Sequence, residues 1–202
     1  MASFSLNSQT MHIYNLANYT FGTKEALFEK DASTADKFIR LRNEFKIYGM
    51  RRTVEAVLVV HQYKTPHVLL FQIGSSFFKL PGGELLPGED EVEGIIRLLN
   101  ELLTYSDRQH EIDWSIVDTL CTWWRPNYEN PQYPYIPPHI TKPKEMRKVF
   151  IISAPDSVEF AVPRNFKLVA APVFELLENN SVYGPVISTL PYHLSKYNFA
   201  FD

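Results

Sequence analysis

Two hydrophobic periods alternate along this chain. Val54 to His61 and His67 to Ile73 are dense in Val, Leu and Ile. Runs of that length predict two strands, joined as a hairpin through Thr65-Pro66. Phe77-Phe78-Lys79-Leu80 reads as a third strand. Neighbouring side chains on a strand point to opposite faces, so one of Phe77 and Phe78 is a candidate for the core. The strand runs into Pro81-Gly82-Gly83, a turn able to bring backbone close to a ligand. From Glu91 to Leu103 the period lengthens. Val92, Ile95, Ile96, Leu99, Leu102 and Leu103 keep three-and-four spacing and predict an amphipathic helix. A second helix starts at a Ser33 or Thr34 cap and runs to about Phe45. It carries a narrow stripe of Ala35, Phe38, Leu41 and Phe45, and Gly49 ends the segment. Further strands are expected at Trp114 to Trp124 and Val149 to Ser153. Short helices are expected at Val173 to Leu177 and Val186 to Lys196, the second interrupted or restarted at Pro191. The first stretch, to Lys30, reads as mixed and turn-rich. Strands and helices interleaved in this way mean an α/β or α+β layered domain.

One segment fits neither period. Trp123 to Pro143 holds prolines at 126, 131, 134, 137, 138 and 143, with Tyr128, Tyr133 and Tyr135. So many prolines exclude a regular helix and a central strand. A packed loop covering the sheet is one reading. An aromatic and proline surface for a partner, or for stacking bases, is the other.

Composition narrows the function classes. At 202 residues and 45% hydrophobic, the chain suits one compact folded domain with extensions. It has no apolar run long enough to span a membrane. Met1 to Ser5 lacks the pattern of a secretory signal. The lone Cys121 excludes an intramolecular disulfide and reads as a buried structural thiol. These features favour the cytosol or nucleus. The net charge of −3 leaves no dense basic surface for wrapping phosphates. Any RNA would therefore be held as a few bases in a pocket, with most of the backbone left to a partner. The small basic clusters, Arg51-Arg52 and Lys142, Lys144, Arg147 and Lys148, read as solvated surface.

Candidate chemistry lies between Gly83 and Tyr105. Gly83, Glu89, Arg97 and Glu101 keep the order and spacing of a Nudix box. Enzymes of that family cut a diphosphate with Mg²⁺, an ion that wants about six oxygen ligands. The signature places glutamates at positions 98, 101 and 102, one face of a helix. Here that face reads Leu98, Glu101 and Leu102, and leucine offers no oxygen. What survives, Gly83, Glu89 and Arg97, is what ties the loop to the helix in the family.

The resemblance narrows further. The chain from about Asn15 onward is similar to the small subunit of cleavage factor I of the metazoan type. That family processes pre-mRNA 3′ ends and binds UGUA elements. The matching stretches are Asn18 to Glu25, Gly49 to Glu55, Phe77 to Glu84, Trp123 to Glu145 and Lys167 to Pro172. The resemblance implies an α/β/α Nudix sandwich. Residues 1–50 would form an N-terminal extension packing on the domain, and 51–202 the Nudix domain with its C-terminal helices. It also implies a nuclear homodimer that binds a larger subunit carrying an RNA-recognition motif, works with other polyadenylation factors, and selects UGUA-containing pre-mRNA without cutting it. No cofactor or metal is expected. The RNA contacts carried over are Glu29, Lys37, Glu55, Ser76, Phe77, Phe78, Leu80, Tyr183 and Gly184. Lys37 stands where the family usually has arginine, which loses the planar two-pronged donor. Ser76 stands for threonine and keeps the hydroxyl.

Residue chemistry is compatible with these roles. Glu29 and Glu55 can accept protons from the Watson–Crick edge of uracil or guanine. Phe77 can stack on a base, and the backbone amides near Phe78 and Leu80 can reach base oxygens. Two other readings stay open. An active Mg²⁺-dependent hydrolase of nucleoside diphosphate derivatives would rebuild a metal site from Glu84, Glu89 and Glu101. A protein-interaction scaffold would use the tyrosine and proline segment.

Overall fold

The computed structural model describes residues 9–105, 112–129 and 131–202. Met1 to Ser5, read above for a secretory pattern, lie outside the described residues. The first described segment forms β1 (Gln9–Ile13), a single 3-10 turn (Leu16–Asn18) and β2 (Tyr19–Lys24). The stretch expected to be mixed and turn-rich thus contains two strands. Both pair in parallel with strands from the far end of the chain, so nothing local announces them. Helix α1 (Thr34–Tyr48) begins where expected, with Ser33 Oγ accepting from the Asp36 amide at 3.1 Å. It runs one turn past the predicted end to Gly49, whose φ of 79° needs glycine.

Strands β3 (Arg51–Gln62) and β4 (Thr65–Ile73) form the expected hairpin. Its turn is Tyr63-Lys64, not Thr65-Pro66, which already belongs to β4. Both turn residues have positive φ, 51° and 58°, the conformation a two-residue hairpin turn requires. The turn carries neither Asn nor Gly, so its usual signal is missing. Replacing Tyr63-Lys64 by Asn-Gly removes that strain. We expect a gain of about 1 kcal/mol, read as a Tm rise of about 2–4 °C. No rise would show that the turn is unstrained.

After the hairpin come β5 (Phe77–Lys79), β6 (Gly82–Glu84), α2 (Glu91–Leu103), β7 (Ser115–Arg125) and β8 (Glu145–Ser153). The chain closes with β9 (Val158–Pro163), β10 (Phe166–Pro172), α3 (Val173–Leu176), α4 (Asn180–Ser188), α5 (Leu190–Leu194) and β11 (Tyr197–Phe201). The C-terminal helix expected from Val186 with an interruption or restart at Pro191 begins earlier, as α4, and restarts after Thr189 as α5, with Pro191 in its first turn. Strand β8 begins at Glu145, four residues before the expected start. No strand was expected over β9, β10 or β11.

The main sheet runs β10-β4-β3-β8-β7, with β3 and β8 parallel and the other pairs antiparallel. β3 and β4 pair only near their turn and then part like a fork. β5 fills one side of the opening against β4, and β6 fills the other against β3. Gly82 makes this possible. A Cβ there would stand 2.2 Å from the Val54 carbonyl oxygen and 2.7 Å from Glu55 Cα. The close approach expected of this turn is therefore made to β3.

Alternation along β3 builds two cores. Val54, Ala56, Leu58 and Val60 face α2 through Ile95, Leu98, Leu99 and Leu102, with Phe160 and Val162 of β9 beside them. Val57 and Val59 face the other way, toward Tyr183, Val186, Ile187, Leu190 and Leu194 of the C-terminal helices. β1–β11 and β2–β9 close the flanks as parallel pairs. The result is the expected α/β/α layering.

Candidate functional site

Helix α2 carries the damaged box. Asp90 caps it, accepting from the amides of Val92 at 2.8 Å and Glu93 at 3.3 Å. Glu89 binds Arg97 through Nε at 2.6 Å and Nη2 at 2.8 Å, and accepts from the Leu86 amide at 2.7 Å. The Arg97 hydrogen bonds hold the Glu89 carboxyl well below its ordinary range, at about 2. Loop and helix are tied as the family resemblance implied. Leu98 and Leu102 are buried in the α2 core. Glu101 is bonded to Arg97 at 3.0 Å. Glu84 is bonded to Arg51 at 3.0 Å, with Arg40 at 3.8 Å. Glu84, Glu89 and Glu101 are thus each held by arginine. Among the described residues, no group of three or more His, Cys, Asp or Glu side chains is placed to hold a metal. This donor set does not fit Mg²⁺.

The expected contact residues divide into neighbourhoods. Glu29, Lys37 and Phe77 line one open cleft of ≈ 740 Å³, with Lys79, Arg51, Arg125 and Arg147 on its walls. Phe77 is 59% exposed. Ser76 stands beside it, exposed in the turn before β5. Phe78 points the opposite way, its ring 4.9 Å from Tyr183 and packed on the C-terminal core. Alternation on β5 thus sends Phe77 into the cleft and Phe78 into the interior. Tyr183 is itself buried, donating to Glu175 at 2.6 Å, and burial pushes its hydroxyl up to about 12. Gly184 follows with φ 77° and ψ 172°, a break inside α4 that allows Pro185 to come next. The Leu80 side chain is fully buried, so only its backbone is available to a ligand.

Glu55 is nearly covered on β3, its side chain 12% exposed, with Arg147 Nη1 at 3.6 Å. Burial pushes its carboxyl up, and Arg147 opposes the shift. Lys79 joins the two groups. It feels both Glu55 and Glu29, and burial lowers its pKa. Its ammonium also lies 4.7 Å from the centre of the Phe166 ring.

Lys79 and Arg147 were missed in the sequence. Lys79 lies between two residues that were singled out, and alternation alone would have put it on the Phe77 face. Arg51 and Arg147 are not the solvated surface expected of basic clusters. Their side chains are only 20% and 21% exposed and surround Glu145. Cys121 is half-buried against the C-terminal core, and burial pushes its thiol up to about 11, which suits a structural role.

Known proteins agree with this architecture. The profile of the family NUDIX_2, described as nucleotide hydrolase, matches residues 9–197. Pre-mRNA cleavage factor Im 25 kDa subunit 2 of Arabidopsis thaliana is 48% identical over 95% of this chain and 96% of its own. Subunit 1 of the same plant factor is 45% identical over 93% and 84%. Cleavage and polyadenylation specificity factor subunit 5 of Dictyostelium discoideum is 41% identical over 97% and 98%. The chain belongs to the family of pre-mRNA cleavage factor Im 25 kDa subunits and carries its Nudix domain.

Proposed function

We propose that this chain binds single-stranded RNA containing UGUA, without hydrolysing it, as a nuclear subunit of the pre-mRNA 3′-end cleavage and polyadenylation machinery. The observation that carries the reading is the exposed Phe77 ring in a cleft shared with Glu29 and Lys37. An exposed aromatic face flanked by an acceptor and a cation is what a splayed-out base needs. Absence of hydrolysis follows from the leucines at 98 and 102 and from the arginines that occupy the surviving glutamates.

A net charge of −3 leaves most of the RNA backbone to others. The proposed assembly is therefore a homodimer with a larger subunit carrying an RNA-recognition motif, working beside other polyadenylation factors. The tyrosine and proline segment offers that subunit a surface. The Tyr133 and Tyr135 rings lie 5.6 Å apart, tilted by 40°, beside Pro126, Pro131 and Pro137 around a small cleft.

The test is a titration of a short UGUA oligonucleotide against one with the guanine replaced. The replaced oligonucleotide should bind about tenfold more weakly, a loss of ~1.4 kcal/mol. Equal affinity for both, or none for either, would overturn the reading. Mg²⁺-dependent turnover of a nucleoside diphosphate derivative that disappears in Glu101→Gln would revive the hydrolase.

A further inference from the structure

A second cleft, of ≈ 510 Å³, opens beside the one that holds Phe77. Leu41, Arg51 and Tyr128 line both, so the two are continuous. Phe45, Met50, Leu86 and Pro87 give the second cleft an apolar lining. Phe45 meets Tyr128 edge-on, the ring centres 6.3 Å apart. Each of these rings carries a cation. Arg42 Cζ lies 5.7 Å from the centre of Tyr128, and Lys144 Nζ lies 4.2 Å from the centre of Phe45. Neither cation pairs with a carboxylate among the described residues. The carboxylates on the walls are all taken: Glu44 is bonded to Arg40, and Glu84 and Glu145 are bonded to Arg51. The cleft thus offers an apolar surface and two uncompensated positive charges.

We infer that this second cleft takes the nucleotide next to the UGUA element, its base against the apolar lining and its phosphate facing Arg42 and Lys144. The inference rests on the RNA-binding reading above and extends it by one nucleotide. The wall shared at Tyr128 lets one strand occupy both clefts. Every base has a π-face, so an apolar lining accepts any of them. A phosphodiester brings one negative charge, which two free cations can balance even in a chain of net charge −3. A nucleoside di- or triphosphate would set more negative charge against Glu44 and Glu84. A neutral or basic peptide would leave both cations unanswered.

The experiment measures Kd by anisotropy for UGUA and for pentamers that add one uridine before or after it. On one flank the uridine should tighten wild-type binding about tenfold, the size of one base stack. The slope of log K against log salt should steepen there by about 0.7, as one more phosphate contact on a single strand requires. An abasic residue on that flank should keep the steeper slope but only about threefold of the gain. The double variant Arg42→Gln/Lys144→Gln should lose the steepening. Leu86→Glu, at a side chain 58% exposed, sets a carboxylate at the cleft without opening the core. It should cut the uridine gain to less than about twofold. Equal binding of UGUA and both pentamers, or a gain that neither variant touches, overturns the inference. UGUA binding would still stand, and the cleft would be left to a peptide of a partner subunit. A full gain from the abasic residue also overturns it, because no base then enters the cleft. If wild type does not prefer UGUA over its guanine-replaced form, the RNA reading falls and this inference falls with it. Should either variant fail to fold, the wild-type abasic comparison and salt slopes decide alone.

Discussion

Glu145→Gln should lose about 3–5 kcal/mol of folding stability at neutral pH, because removing one partner of a buried ion cluster leaves the others uncompensated. Glu145 is 3% exposed at the start of β8 and bonded to Arg51, Arg125 and Thr53. Burial alone pushes its carboxyl up. Arg147, Arg51 and Arg125 overcome that and pull it down to about 2. The sign of the pH effect follows. The unfolded carboxyl titrates at about 4.3, above the folded value. Between the two, the unfolded chain binds more protons, so acid favours it. The stability from Glu145 is therefore complete above about pH 5 and is lost as pH falls toward 2. Glu89, also held at about 2, adds a loss in the same window. Denaturant titrations at pH 7 and at steps down to pH 3 should show the wild type losing stability, and the variant starting lower with a shallower fall. A difference under about 1 kcal/mol at pH 7 would mean that the three arginines do not need this carboxylate.

That cluster also marks where the sequence stopped being legible. Helix α2 announced itself through its apolar spacing, and the Asp90 cap and first-turn glutamates seen in the structure agree with it. β3, β4 and β5 did so through dense branched and aromatic runs. The start of β8 did not. Arg147 and Lys148 read as solvated charge, and the burial of Glu145 beside them is tolerable because Arg147, Arg51 on β3 and Arg125 on β7 surround it. Arg51 and Arg125 are 94 and 20 residues away from Glu145 in the chain. β1 and β11 were illegible for a similar reason. Gln9 pairs with Tyr197 and Ile13 with Phe201, a contact that short mixed segments cannot signal locally. The candidate site divides the same way. Phe77 and Phe78 could be assigned to opposite faces from alternation, but which one faces the cleft depends on Tyr183 in α4. The box loop was readable because Glu89 and Arg97 lie eight residues apart on one local motif. Glu29, Lys37 and Glu55 meet around Lys79 only once the segment before α1 packs beside β5.

Phe77→Ala should weaken UGUA binding by about 1–3 kcal/mol, the range for loss of one base–aromatic stack. That is roughly a 5- to 150-fold rise in Kd. The ring is 59% exposed, so little apolar burial disappears with it. The stability change should stay within about 1 kcal/mol, the span of strand propensities. Phe78→Ala is the control that gives the prediction its edge. Its ring packs on Tyr183 and the C-terminal core, so its removal leaves a void and should cost about 2 kcal/mol or more of stability. Anisotropy titration and thermal denaturation on both variants separate the two effects. Phe77→Ala should move affinity and spare Tm, while Phe78→Ala must lower Tm whatever it does to affinity. If Phe77→Ala lowers Tm as far as Phe78→Ala, the exposed ring is a packing residue. If it leaves Kd unchanged, no base stacks on it, and the cleft between Glu29, Lys37 and Arg147 would have to hold the RNA by polar contacts alone.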